Sequence, residues 1–449
     1  MNEIRSRFLP PDDASRSALH NEVHARPSAR VRLPALIVYV AVLNHGVSRE
    51  QECQHLQRLP GHADLTPERM LANFLRLRCD GYTVKWERHT EFTRYSIVQA
   101  LPAHALWGQA LPDLAPFVAT GTDWLRDIPG ETVAAIHLAM LPQGMDEDDV
   151  PSKAQAWLGE GTLIGSRMGN TRDGQPHSWL LTHFRIGDDG FERMLVLATA
   201  DTTETRAGRI SQRVLELETY RLMALRGLPV AKQLSPVLSH AESQLADITA
   251  RLESQQGGDQ ALLDDLVALA ARVERATAEH GYRFSATRAY DTLVRQRIAE
   301  LRERPLAGTQ TVGEFMQRRL SPAMATVEAT AQRLTALSER VARTSALLRT
   351  RVDIATETQN QQLLEKLTRG QDLQLRLQST VEGLSIAAIS YYVVSLVLYA
   401  AKALQKLGLP VNPEVAAGLS IPLVLWAAWK TVQRIHARIH ETGSAKLPR

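Results

Sequence analysis

Only two cysteines, Cys53 and Cys79, stand in 449 residues, and they form no CxxC pair. That excludes a disulfide framework and a cysteine zinc site, and it leaves free thiols in a reducing compartment as the expectation. Aromatic residues make up 5% of the chain and are not interleaved with basic runs, and the formal charge is a modest +3. No nucleic-acid partner is expected on those grounds. The chain also lacks GxGxxG, a P-loop lysine, a nucleophile elbow and any assembled Ser-His-Asp set, so no enzyme is expected. Its opening residues, MNEIRSRFLPPDDASRS, have no apolar core, and the expectation is that no signal peptide is cleaved and the body begins in the cytoplasm.

What is present is 44% hydrophobic and 22% charged, the balance of a folded protein too long for one core. Between about Arg32 and Asp201 the pattern favours strands. RLPALIVYVAVL reads as a buried strand, TVKWERHTEFTRYSIVQ as a hairpin pair, TVAAIHLAML (132–141) as a further strand, and SWLLTHFRI with FERMLVLATA as a hairpin around GDDG. GTLIGSRMGNTRDGQ reads as a hairpin with a glycine-bearing turn. Helices are expected at SREQECQHLQRL and at TPERMLANFLRL, the latter capped by Thr66 with Pro67 first. These segments together predict an α+β domain over 1–203.

Beyond Asp201 helical periodicity takes over, with breaks at GLP (227–229), QQGGDQ (255–260), ERPLAG (303–308) and LSP (320–322). Leu262, Leu266, Leu269 and Val273 step by three and four, as do Leu334, Leu337 and Val341, the spacing that buries one stripe against a partner helix. A helical bundle and stalk is therefore expected over 204–383, its last helix starting near Ala323 and running past Leu384.

The third zone predicts a membrane. GLSIAAISYYVVSLVLYAA (383–401) carries no charge over a length that crosses a hydrocarbon core, and VAAGLSIPLVLWAAW (415–429) is uncharged too. A transmembrane hairpin over 384–429 is expected, with spans at about 384–404 and 412–430, then a basic tail over 431–449. Lys366, Arg369 and Arg376 precede the first span, and Lys430, Arg434 and Arg438 follow the second, against Lys402 and Lys406 between them. The positive-inside rule then puts both termini in the cytoplasm, with Trp426 and Trp429 at the inner interface.

Three residue sets could carry function. In HNEVHAR an extended backbone, favoured before Pro27, aligns His20, Glu22, His24 and Arg26 on one face. Such a set could hold a divalent cation, clamp an anion through Arg26, or form a hydrogen-bond network that ties down the N-terminal segment; its spacing fits no zinc protease helix. In the first span Ser385, Ala388, Tyr392, Ser395, Tyr399 and Lys402 share a face, which continues back through Gln378, Gln374 and Gln371. Polar groups at membrane depth face other helices or water, so this row either glues helices together or lines a pore. Asn412 and Glu414 are the polar groups of the outer loop. The acidic run MDEDDVP (145–151) reads as a solvated loop.

The run LHNEVHARP, together with RVDIATETQNQQLLEKL and QLRLQSTVEGLSIAAISYYVV, resembles an uncharacterised family of proteobacterial membrane-anchored proteins over nearly the whole chain. The resemblance implies a bacterial inner membrane and no particular catalysis. A cytoplasmic α/β domain, a helical stalk, a first span, a short outer loop and a brief second span also look like CorA-type magnesium channels. That likeness implies a homo-oligomer with a pore lined by first spans, yet the Gly-Met-Asn motif of those channels is replaced here by QKLGLPVNPE. The expectation is a membrane-anchored homo-oligomer with a cytoplasmic ligand- or partner-binding domain, acting as a CorA-like ion conduit or as a tethered scaffold or sensor without transport.

Overall fold

The computed structural model describes residues 13, 15–16, 19–20, 29–106, 109–142, 149–169, 177–254, 258–407, 410 and 412–443. The chain divides into two compact units, Met1–Ser345 and Ala346–Arg449. In the first, the strands are β1 (Ala35–Leu43), β2 (Phe74–Cys79), β3 (Tyr82–Arg88), β4 (Phe92–Ala100), β5 (Glu131–Pro142), β6 (Ile164–Met168), β7 (Ser178–Ile186), β8 (Glu192–Ala198) and β9 (Arg304–Pro305). They form one mixed sheet in the order β2-β3-β4-β1-β5-β8-β7-β6-β9, in which β5 and β8 run parallel and every other neighbouring pair antiparallel.

β1 lies inside the sheet because ALIVYVAVL offers apolar side chains to both faces. Leu36, Val38, Val40 and Val42 enter one core with Trp86, Tyr95, Ile97 and Trp179. Helices α1 (Arg49–Gln57), α2 (Thr122–Arg126) and α3 (Val150–Leu158) cover that face through Leu56, Trp124 and Trp157. The alternate residues Ala35, Ile37, Tyr39 and Ala41 enter a second core. There the cover is α4 (Glu204–Leu225), which packs along α6 (Asp259–Leu301); α5 (Gly227–Glu253) lies on α6 in turn. α7 (Val312–Arg319) closes the β6 end through Val312 and Met316. Both faces of the sheet are therefore dry.

Two expectations are corrected. TPERMLANFLRL is not a helix: only Pro67–Met70 turns, as a 3₁₀ helix, and the chain then enters β2. Leu75 and Leu77 alternate with Arg76 and Arg78, and Asp80-Gly81, with Gly81 at φ +78°, closes a two-residue hairpin onto β3. Strand pairing also does not stop at Asp201, since β9 sits in the ERPLAG break and pairs with β6 at the sheet edge. Two residues carry no readable periodicity, and Pro305 suits an edge because it has no N–H to give the ladder. The breaks at QQGGDQ and LSP fall between helices as expected, and GLP marks a one-residue junction at Arg226 between α4 and α5.

The second unit holds residues from α8 (Ser321–Lys406) and α9 (Pro413–Gly443). One helix among the described residues, ending at Lys406, is long and apolar enough to cross a membrane, with mean hydropathy 1.9 over its best 18-residue window and 11% of that window buried. From Asp353 to Val381 every α8 side chain is exposed, including Leu363, Leu367 and Leu377.

Candidate functional site

The sheet face beneath α4 contains charge where a core would ordinarily be apolar. Lys85 and Glu87 on β3 and Arg94 on β4 take the strand phase opposite to Val84, Trp86 and Tyr95, so they point at α4. Arg94 Nε donates to Glu87 Oε2, and both Arg94 Nη atoms donate to Glu216 Oε1 of α4 at 3.2 Å. Lys85 Nζ lies 3.1 Å from Glu87 Oε2, Arg297 Nε of α6 donates to Glu216 Oε2 at 2.7 Å, and Gln212 Nε2 donates to Glu216 Oε1 at 2.8 Å. Burial pushes Glu87 upward, but Arg94 and Lys85 outweigh it and hold the carboxyl down at about 2. Burial likewise lowers Lys85 against the pull of Glu87. Glu87 Oε1 has no hydrogen-bond partner, and the network borders a void of about 30 Å³, roughly one water in size. Ala29, three residues after Arg26, lines that void and lies against Gly208 of α4 so closely that a Cβ there would collide with its carbonyl. Next to the network, Tyr39 Oη and Thr219 Oγ1 are hydrogen-bonded at 2.7 Å.

One helical turn beyond Glu216, Tyr220 leaves the network and becomes the wall of a cleft of about 540 Å³ at the β3–β4 turn. Arg49, the first residue of α1, and Arg88, the last of β3, both line it together with Asn73 and Thr90. Arg88 is held by Glu52 Oε2 at 2.7 Å and by the Val47 carbonyl at 2.8 Å. Arg49 Nη2 donates to Asn73 Oδ1 at 2.7 Å, and no carboxylate among the described residues pairs with it. Arg49 is thus hydrogen-bonded but not ion-paired, while Glu50 and Glu52 of the same helix lie near enough to feel its charge. Its aromatic walls are two ring pairs. Tyr290 of α6 stacks on Tyr220 at 5.9 Å and 28°, and His89 stacks on Phe92 at 4.5 Å and 18°. In each pair the inner ring is buried and the outer ring half-buried. Burial pushes Tyr290 up to about 12, so its hydroxyl stays a donor at neutral pH.

Other buried titratable groups lie apart from this cleft. Glu218 of α4 takes both Arg221 donors and neighbours Glu192 of β8, whose carboxyl burial and Glu218 push well up. His55 and His137 are buried with no hydrogen bond to either ring nitrogen, and burial lowers each to about 4.

The sequence-derived candidates are not gathered into this site. Asp13 accepts Arg16 N–H at its carbonyl and Leu19 N–H reaches the Ser15 carbonyl, and His20 is helical and exposed. Glu22, His24 and Arg26 lie outside the described residues. Gln371, Gln374, Gln378, Ser385, Tyr392 and Tyr399 are exposed on α8 and Ser395 is half-buried, whereas Ser390 and Ala401 are the buried positions of that segment. Asn412 Oδ1 accepts the Glu414 N–H at 3.3 Å and the Asn412 carbonyl accepts Ala416 N–H, so these residues form the start of α9, as Asn-Pro-Glu spells in sequence. No group of three or more His, Cys, Asp or Glu among the described residues is arranged to hold a metal ion.

Sequence reading missed the cleft and the network. Lys85, Glu87 and Arg94 occupy the polar phase of a hairpin, which reads as a wetted face until α4 covers it. The available signal was Glu216 and Glu218 set two apart among the apolar Val214, Leu215 and Leu217 and beside Tyr220 of the helix.

No curated protein and no solved structure matches the chain. The family described as protein of unknown function (DUF3422) matches residues 11–439, nearly the full length, and the chain belongs to that family.

Proposed function

We propose that this protein is a membrane-anchored ligand-binding protein, in which the sheet unit takes a small anionic molecule and the C-terminal helices fix the chain in a bilayer. The observation that carries the reading is Arg49, a guanidinium without a carboxylate partner at the mouth of a 540 Å³ cleft. That volume falls within the roughly 300–1,000 Å³ of small-molecule sites, and a planar guanidinium recognises carboxylates and phosphates. The anchor comprises the helix ending at Lys406 and a second span over about 412–430, with lysines and arginines biasing both termini to the cytoplasm of a bacterial inner membrane. Binding, with no catalytic step, is the role assigned to the cleft.

The test is thermal unfolding of the full-length protein in detergent with pyrophosphate and with citrate. Either anion is expected to raise the midpoint in wild type and to have no effect on Arg49→Glu. Equal midpoints with and without both anions in wild type would remove the reading.

The same chain is inferred to associate with further copies of itself. Leu363, Leu367, Leu377 and Val381 are exposed on α8, every copy presents the same row, and helices that expose such rows in water are stabilised by a partner helix rather than by propensity. A second reading, a conduit built from several copies, is favoured by one observation: Tyr392 and Tyr399 are exposed on the helix that carries the spanning segment. In liposomes the conduit predicts divalent-cation flux that Tyr392→Leu/Ser395→Leu abolishes. Flux equal to that of empty liposomes would leave the anchor alone.

A further inference from the structure

Resting on the anion-binding cleft just described, we propose that its ligand class is a nucleotide: a planar base held against Tyr290 or His89 and a phosphate group held by Arg49 and Arg88. The two arginines come from different elements, the start of α1 and the end of β3, and both line the same cleft. Arg88 is positioned by Glu52 and the Val47 carbonyl, and Arg49 by Asn73, so neither guanidinium must be ordered when a ligand arrives. Forked N–H donors of this kind suit phosphate oxygens better than a point charge does.

An inorganic anion would leave the rest of the cleft unexplained. Two outer rings, Tyr290 and His89, are each backed by a buried ring, Tyr220 and Phe92, at stacking distance. A backed ring is hindered from turning aside, and each outer ring is half-buried, so part of a flat surface is presented to a heterocycle. Base-on-aromatic stacking is sequence-tolerant and contributes about 1–3 kcal/mol per base. Asn73 and Thr90 add an amide and a hydroxyl, groups suited to the ring edges or sugar hydroxyls of such a ligand. The volume accommodates a molecule of that size, whereas phosphate alone would occupy a small part of it.

Calorimetry on the full-length protein in detergent, with ADP, GDP, adenosine and pyrophosphate as probes, tests the assignment. A nucleoside diphosphate is expected to bind at least tenfold more tightly than either adenosine or pyrophosphate. Tyr290→Leu is expected to weaken the nucleotide about tenfold and leave pyrophosphate unchanged, with its unfolding midpoint measured alongside to establish that the variant is folded. Arg49→Gln should weaken both phosphate compounds. Pyrophosphate binding as tightly as ADP and GDP would overturn the nucleotide class while the anion-binding cleft stands. Absence of binding by all four probes would overturn the class, and the cleft itself would fall if citrate also failed to bind. Nucleotide binding indifferent to Arg49→Gln would place the site elsewhere and overturn the proposal.

Discussion

Arg94 is the residue on which the buried charges depend. It is fully enclosed and is the common partner of Glu87 and Glu216, so its loss leaves two buried carboxylates with Lys85 and Arg297 as their remaining cations. Breaking such a pair from one side typically costs about 3–5 kcal/mol, far more than an exposed ion pair contributes. Arg94→Met is therefore expected to lower the unfolding free energy by about that amount in denaturant titration. The exposed pair Arg126–Asp123 is the contrasting control, and its removal should change little. The buried histidines set a pH dependence with a definite sign. Burial lowers His55 and His137 to about 4, against 6.5 for the free side chain, so the unfolded chain binds their protons first as the medium acidifies. Their stabilisation is complete above about pH 6.5 and is lost as pH falls towards 4. His137 faces Asp189 at 3.7 Å, with Arg193 and Asp113 also near, and the net effect remains a lowered pKa. The unfolding midpoint should fall between pH 7 and 5, and His137→Leu should flatten part of that slope.

At the scale of elements, termini and turns decide where the chain changes direction. α7 opens with a complete capping box, in which Thr311 Oγ1 accepts the Glu314 N–H and Glu314 accepts the Thr311 N–H. Thr311→Ala is expected to destabilise the protein by about 1 kcal/mol, read as a shifted denaturation midpoint. Ser48 and Gln51 make the same reciprocal cap on α1, the helix that delivers Arg49 to the cleft. β1, β5 and the β3–β4 and β7–β8 hairpins were legible because their alternation or apolar run is long. TPERMLANFLRL was not, because its capping signals are local and genuine for a single turn, while the following FLRLRC is claimed by the Asp80-Gly81 hairpin. Pairing with β3 outweighed helix propensity there. α4 was legible as a helix, but its three polar contacts were not. Glu216, Glu218 and Thr219 meet Arg94 of β4, Glu192 of β8 and Tyr39 of β1, and sequence spacing does not report what lies beneath a helix.

At the scale of the whole molecule, a bilayer-capable helix and a ligand-sized cleft belong to one polypeptide. A fluorescent reporter fused after Arg449 is expected to mature in the cytoplasm, as the lysine and arginine bias requires. Periplasmic alkaline phosphatase activity from the same fusion point would contradict that topology.

The sequence by itself determined the zones: a strand-rich first part, helices after Asp201, and an uncharged run ending near Lys402. Periodicity and hydropathy are sums over many residues, and a few local exceptions do not disturb them. Family membership likewise rests on the sequence, through a match over residues 11–439. Only the tertiary structure decided that the sheet is covered on both faces, and from that came the burial of Lys85, Glu87 and Arg94 under Glu216. Likewise Arg49, Arg88, Tyr220 and Tyr290 meet at one cleft although up to 241 positions separate them in the chain. A site of that kind is assembled by contacts between distant elements, and a linear pattern encodes each residue's neighbours along the chain rather than those across the fold.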